Sequence, residues 1–446
     1  MDVRVVISID FGTTYSGFAY AHKVNTEIIT NDTWPDQIGP LKTNTVLQYD
    51  KNFKNVEEWG FPALAKKPKK SKGKSKNQNA SKPIEHFKLH LGNMPDNEKP
   101  VMPKGINYRK AIVDYLKCMG KLIKETIGTR WPNVKFMDHV LIILTVPAGF
   151  SDQAKAIMRE CIYEAGLINI KSSERLQFTT EPEAAAVYCM KVLKEHILDI
   201  VGTNFLIVDC GEQLEEDEWI IELKFEDVKR MFDPVINKII KLIREQLNNS
   251  GTISAMFLVG GFSESKYLQK RIREEFSSKV KNSNISVPSQ PVAAIVRGAL
   301  EYGLNMKKIK SRRLPLSYGI ELAPLWKPGD PPERRQTHDR IFKFRRLVEK
   351  GIEVDTDEEF GLELHPSYAN QTELSIEVYS TTANEATYCD EPGMKKVGEL
   401  RLDFPDPHLG FQRTIKFTLT FGQMEIRAYA RNQQGKSTNA IFEFLI

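Results

Sequence analysis

"VVISIDFGTTYSGFAY", residues 5–20, joins two apolar stretches through a turn of small and hydroxyl residues. The first stretch reads as a buried strand, Gly12 permits a tight turn, and the second stretch returns as an antiparallel partner. Asp10 stands at the strand end. Backbone N–H groups and the hydroxyls of Thr13 and Thr14 can converge there on phosphate oxygens, while Asp10 can hold a hydrated Mg²⁺. The stretch does not match the G-x-x-x-x-G-K-[ST] loop and no helix N-terminus follows it directly, so P-loop and Rossmann sites fit badly. Taken alone it is equally an ordinary hairpin with a Gly-Thr turn.

Working outward, strands and helices alternate. "RKAIVDYLKCMGKLIKETI" (109–127) spaces Ile112, Leu116, Met119, Ile123 and Ile127 as one face of an amphipathic helix. "DHVLIILTVPAGF" is a buried strand, and Ser151 or Asp152 is placed to cap the helix that follows. "RLQFTTEPEAAAVYCM" repeats the strand-turn-helix theme. "NFLIVDCG" (204–211) is almost continuously apolar and is expected in the centre of a sheet, covered on both faces. In the helix read over 225–247, Val228, Phe232, Val235, Ile236, Ile239 and Ile243 form a stripe that Pro234 is expected to kink or divide. "AMFLVGGF" (255–262) is a strand running into a glycine turn, followed by helical pieces through "PVAAIVRGALEYGL". Residues 307–315 are basic, polar and Pro-terminated, as a linker would be. Beyond them the period changes to alternation: "TELSIEVYSTT" (372–382) puts Leu374, Ile376 and Val378 on one face, and further strands break at "FGQ" and "NQQGK".

At 446 residues, 41% of them hydrophobic, the chain suits two or three folded domains. "VLIILTVPAGF" is too short to span a bilayer and contains Pro147, and no secretory leader is read at the start, so no membrane association is expected. Five scattered cysteines without a C-x-x-C pair suggest neither a zinc site nor a disulfide framework, and point to the cytosol or nucleus. The net charge of +5 is concentrated in "KKPKKSKGKSK" (66–76). That run lacks aromatic residues to stack bases, so a solvated loop is the preferred reading over a nuclear address or a nucleic-acid contact.

Asp10, a second strand-end acid at Asp209 and the glycine turn "LVGGFSES" recur in order. On these motifs the chain resembles the 70-kDa heat-shock chaperone family of the actin-like ATPase superfold, most closely its heat-shock 70-kDa protein 12-like branch. The resemblance implies an α/β, two-lobed nucleotide-binding domain with one lobe truncated (1–306), a linker (307–315) and a β-rich substrate-binding-like domain (316–446) that takes polypeptide clients or protein partners. It implies ATP or ADP with Mg²⁺ as cofactors. Gly12, Thr13, Thr14 and Tyr15 would surround the phosphates. Asp10 and Asp209 would contact the metal through water, and Glu181 in "TEPEAAAV" would position the attacking water. Gly211 would belong to the second phosphate loop, Gly260, Gly261 and Ser263 to the adenosine loop, and Pro147 would relay nucleotide state to the partner domain.

Departures from the pattern are equally specific. The second phosphate loop of the family reads Asp-x-Gly-Gly-Gly-Thr, whereas here "VDCG" runs into Glu212, Glu215 and Glu216, carboxylates that repel phosphate. A whole subdomain is expected to be missing between 211 and 219, either by natural deletion or by loss in splicing or the gene model, and Glu264 stands where the family has an adenine-facing Arg. No helical lid is expected after the β-rich part. The resemblance implies a heat-shock-70-like, chaperone-like ATP-binding protein that couples nucleotide state to peptide or partner binding; the departures put ATP turnover in question and raise, as the alternative, a pseudo-ATPase that keeps the fold as an interaction or regulatory module. A sugar kinase of the same superfold is disfavoured by the β-rich tail.

Overall fold

The computed structural model describes residues 2–64, 81–195, 205–209, 225–248, 253–403, 406–421, 424–432, 437–441 and 443–444. The Lys-rich run 66–76, Gly211 and the acidic residues after it lie outside the described residues. The fold is mixed α/β with several sheets, and the chain divides into two compact units.

The first unit comprises residues 1–149, 164–169 and 175–306. The opening hairpin pairs Val5–Phe11 with Tyr15–His22, antiparallel and in continuous register from Val5↔His22 to Phe11↔Ser16. Strand Val140–Val146 adds to its other side in parallel, and Leu176–Thr180 lies beyond that. All seven residues of both Val5–Phe11 and Val140–Val146 are buried, as expected of apolar runs covered on two faces. Helix Tyr108–Arg130 buries the expected stripe, and the Asn107 side chain caps it by accepting from the Lys110 N–H.

The second sheet of this unit is parallel, in the order Phe205–Asp209, Ala255–Val259, Ile285–Ser286. The expectation that Phe205–Asp209 is central is not met among the described residues. Among the described residues it pairs on one side only, Leu206, Ile207 and Val208 are half-buried, and the fully buried strand Ala255–Val259 takes the centre. Nor does Pro234 divide its helix, which runs unbroken from Phe225 to Asn248. Pro234 faces solvent, while Phe232 ahead of it and Ile236, Ile240 and Ile243 beyond it pack into one core. Val235, expected in the stripe, is 49% exposed.

Helices Glu181–Glu195 and Ala294–Leu304 cross at Gly298. A Cβ there would lie 1.7 Å from the Ala184 carbonyl oxygen, so the two backbones touch where a side chain would stand. This crossing sets the position of Glu181 at the start of one helix and of Ile295 on the other.

The second unit comprises 150–163, 170–174 and 307–446. Its larger sheet has the order Lys343–Val348, Ser317–Leu322, Glu373–Thr381, Met394–Asp403, Glu443–Phe444, and a four-stranded sheet has the order Glu359–Leu364, Ile415–Thr420, Arg427–Asn432, Ser437–Ile441. Alternation works as read: Ile376 and Val378 are buried and Leu374 packs against the same core, with Phe417 and Leu419. Within the segment read as a linker, Ser311–Arg313 forms a strand paired with Glu353–Asp355, and Leu314 is buried. Helix Asp152–Glu164 starts under a Ser151 cap. Its Arg159 forms a two-pronged ion pair with Glu425, at 2.7 and 2.6 Å, both side chains being 6% exposed. Arg159 also donates to the carbonyls of Lys171 and Ser173.

Two stability outcomes follow. Gly298→Ala forces a methyl into a backbone carbonyl and is expected to destabilise the first unit by about 1–3 kcal/mol or more, read as a lower urea midpoint. Glu425→Ala leaves the Arg159 guanidinium buried without its carboxylate and is expected to cost about 3–5 kcal/mol in the same measurement; a change within error would mean that Arg159 is adequately solvated without Glu425.

Candidate functional site

A cavity of about 530 Å³ lies in the first unit, within the size range of small-molecule sites. One wall is the hairpin turn, Gly12, Thr13, Thr14 and Tyr15, with Asp10 at the strand end; Pro147, Glu181, Asp209, Gly260 and Gly261 also line it. These expected residues are therefore brought together. Ser263 is not. It is fully buried, and its hydroxyl donates to the Val259 carbonyl at 2.6 Å, which closes the end of the strand; Glu264 faces the cavity instead. Gly211 lies outside the described residues.

The turn is held open by its neighbours. A Cβ on Gly12 would meet the Tyr15 carbonyl oxygen at 2.1 Å, so only glycine fits the hairpin at this point. Thr45 pins the turn from outside, its N–H donating to the Thr14 carbonyl at 2.7 Å and its hydroxyl to the Gly12 carbonyl at 2.9 Å.

Asp10 is 2% exposed. One carboxylate oxygen accepts from the Thr145 hydroxyl at 3.1 Å, and the other lies 2.7 Å from the Lys42 ammonium. Glu181 is approached by a second ammonium, Lys88 Nζ, at 3.0 Å, with the Lys88 side chain 4% exposed. Lys88 also lies 5.7 Å from the centre of the Phe11 ring. Glu181 is free for the cavity because Glu183 does the capping: the Glu183 N–H donates to Thr180 Oγ1 at 3.2 Å and the Thr180 N–H to Glu183 Oε2 at 3.3 Å, a reciprocal capping box.

The lysines and carboxylates shape one another. Burial is the largest influence on Lys42 and works against its charge, but Asp10, aided by Asp209 and Glu181, overrides it and holds the ammonium above its ordinary range. Asp209 keeps solvent access yet titrates at about 6, raised first by desolvation and then by the charges of Asp10 and Glu181, with Lys42 and Lys88 opposing.

Lys42, Lys88 and Thr45 were not legible as site residues. The weak signals available were a lysine inside the apolar run "HFKLHL" and the polar segment "KTNT" close after the hairpin.

Mg²⁺ was expected on Asp10 and Asp209. Asp10 as it stands does not fit it: one oxygen lies 2.7 Å from the Lys42 ammonium and the other accepts from the Thr145 hydroxyl, so a metal or its water would have to displace one of them.

No protein-family model matches the chain. Curated proteins do. Over an alignment of 630 positions, 99% of the chain and 91% of the relative match heat shock 70 kDa protein 12A of Mus musculus at 23% identity. The chain is a distant, full-length homologue of the heat shock 70 kDa 12 proteins. The human 12A protein matches at 23% and human 12B at 21%, again over 99% of this chain and 91% of each relative. Because the alignments are longer than the 446 residues of the chain, the heat shock 70 kDa 12 proteins carry segments with no counterpart in it. Among the described residues no helix is long and apolar enough to cross a membrane.

The Asp209 titration has a sign that can be measured. Its folded value of about 6 exceeds the ordinary 3.8, so between these values the folded protein holds the extra proton and stability falls as pH rises. Asp209→Asn is expected to melt above wild type at about pH 7.5, with the advantage disappearing toward about pH 4. An equal gain at both pH values would show that the charge of Asp209 is not its cause.

Proposed function

We propose that the cavity binds an adenine nucleotide, ATP or ADP, with the phosphates on the hairpin turn, and that occupancy rather than hydrolysis is the signal the protein transmits. The observation that carries this reading is the convergence of Thr13 and Thr14 with two ammonium groups, the partly exposed Lys42 and the buried Lys88, on one cavity of about 530 Å³ in a heat shock 70 kDa 12 homologue. Hydroxyls, backbone amides and ammonium groups are the donors a phosphate chain requires. The uncharged part of the ligand is assigned to the Gly260–Gly261 side.

Turnover is a different demand, since phosphoryl transfer to water needs phosphate-binding amides and charge neutralisation on both sides of the γ-phosphate. The second loop lacks the Gly-Gly-Thr of the family pattern, and we place the missing subdomain between 211 and 219. Residues 316–446 are proposed as the surface for polypeptide or protein partners, with nucleotide occupancy biasing it as in any two-state switch.

The test is a thermal titration. ATP or ADP at a hundred times its Kd stabilises a protein that binds only when folded by about 2.7 kcal/mol. Wild type is expected to show this shift, Lys88→Met to lose it, and neither to release phosphate above background. No shift at millimolar ATP or ADP would remove nucleotide binding, and phosphate release above background would restore the enzyme reading.

A further inference from the structure

Three strands bring Lys42 to Asp10. Asp10 is the cross-strand partner of Gly17 in the hairpin, and on the far side of the second strand Tyr15 pairs with Asn44 and Ser16 with Thr43. One step further along that register, Gly17 stands opposite Lys42. A Cβ on Gly17 would lie 2.9 Å from the Leu41 carbonyl oxygen and 3.1 Å from Lys42 Cγ, so the missing side chain is the space through which Lys42 runs. Its ammonium ends 2.7 Å from the Asp10 carboxylate, inside the cavity, with the side chain 14% exposed.

The position is the one at which a strand-end carboxylate beside bound phosphates would face a metal. A cation is already there, covalently tethered. Lys88 does the same for Glu181, so two of the three carboxylates at this end of the cavity are matched one to one by ammonium groups. A divalent ion would have to displace Lys42 and bring a charge that those two carboxylates no longer require. An ammonium donates hydrogen bonds, and the same group that pairs with Asp10 can donate to a phosphate oxygen.

Resting on the nucleotide-binding reading above, we propose that Lys42 takes the place of the divalent cation, so that the cavity binds the phosphates of a nucleoside di- or triphosphate without metal.

The experiment measures ATP and ADP affinity by calorimetry on the full chain, with Mg²⁺ and separately with excess EDTA, for wild type, Lys42→Arg and Lys42→Gln. Wild type and Lys42→Arg are expected to bind with affinities that differ by less than about threefold between the two conditions, while Lys42→Gln loses about tenfold or more in EDTA and recovers in Mg²⁺. A wild-type affinity that falls about tenfold or more in EDTA overturns the inference and leaves nucleotide binding intact. Lys42→Gln binding as tightly as wild type in EDTA also overturns it. No binding by wild type in either condition removes the underlying reading as well. Should Lys42→Gln fail to fold, the wild-type comparison and Lys42→Arg decide the matter alone.

Discussion

A carboxylate 2% exposed at the end of a fully buried strand must be neutralised or hydrogen-bonded wherever the chain folds. Asp10 obtains both, from Lys42 on one oxygen and Thr145 on the other. The rest of the first sheet is arranged around that demand. Thr145 arrives on the parallel neighbour Val140–Val146, Lys42 arrives across Gly17, and the turn between them is fixed by Gly12 and Thr45. Satisfying that one buried charge thus brings the Lys42 ammonium into the lining of the cavity.

Much of this was legible in the sequence because it is local. The hairpin is written in two apolar runs around a glycine and two threonines within a few residues, and the start of the helix Asp152–Glu164 in Ser151, whereas the caps at Asn107 and Thr180–Glu183 emerge only from the structure. Glu181 could be placed at a helix start, but its task of positioning water came only from the resemblance, since a carboxylate there is usually a cap. The reciprocal bonds of Glu183 with Thr180 settle which of the two carboxylates caps.

What was not legible is set by register and by short irregular turns. Lys42 reaches Asp10 only because Ser16 pairs with Thr43, and a shift by one residue would send it to the other face. Lys88 sits on the 3₁₀ turn Phe87–Leu91, a few residues with no period long enough to announce a buried face. The position of Phe205–Asp209 within its sheet has the same origin. An apolar run records that a strand is hydrophobic, but how many partners flank it is decided by distant segments. Pro234 shows the converse, a strong local signal outweighed by Phe232, Ile236, Ile240 and Ile243 packing into a shared core.

The distribution of charge also gives the cavity a direction. Lys42 and Lys88 belong to the side built on the first sheet, and each is already drawn toward a carboxylate there. Glu264, after the Gly260–Gly261 turn, brings a carboxylate to the lining from the side of the second sheet, whereas Asp209 feels the charges of Lys42 and Lys88. Gly260 adopts φ +84°, a left-handed conformation that brings bare backbone to that wall. On the proposed reading, a ligand with one anionic and one neutral end would meet donors and ammonium groups at the hairpin, and beside Gly260 and Gly261 would meet backbone and the Glu264 carboxylate, which repels phosphate and can accept the N–H groups of a base. Reversing the ligand would set its phosphates against Glu264, so the same charges that make the site hospitable to an anion at one end oppose its binding backwards.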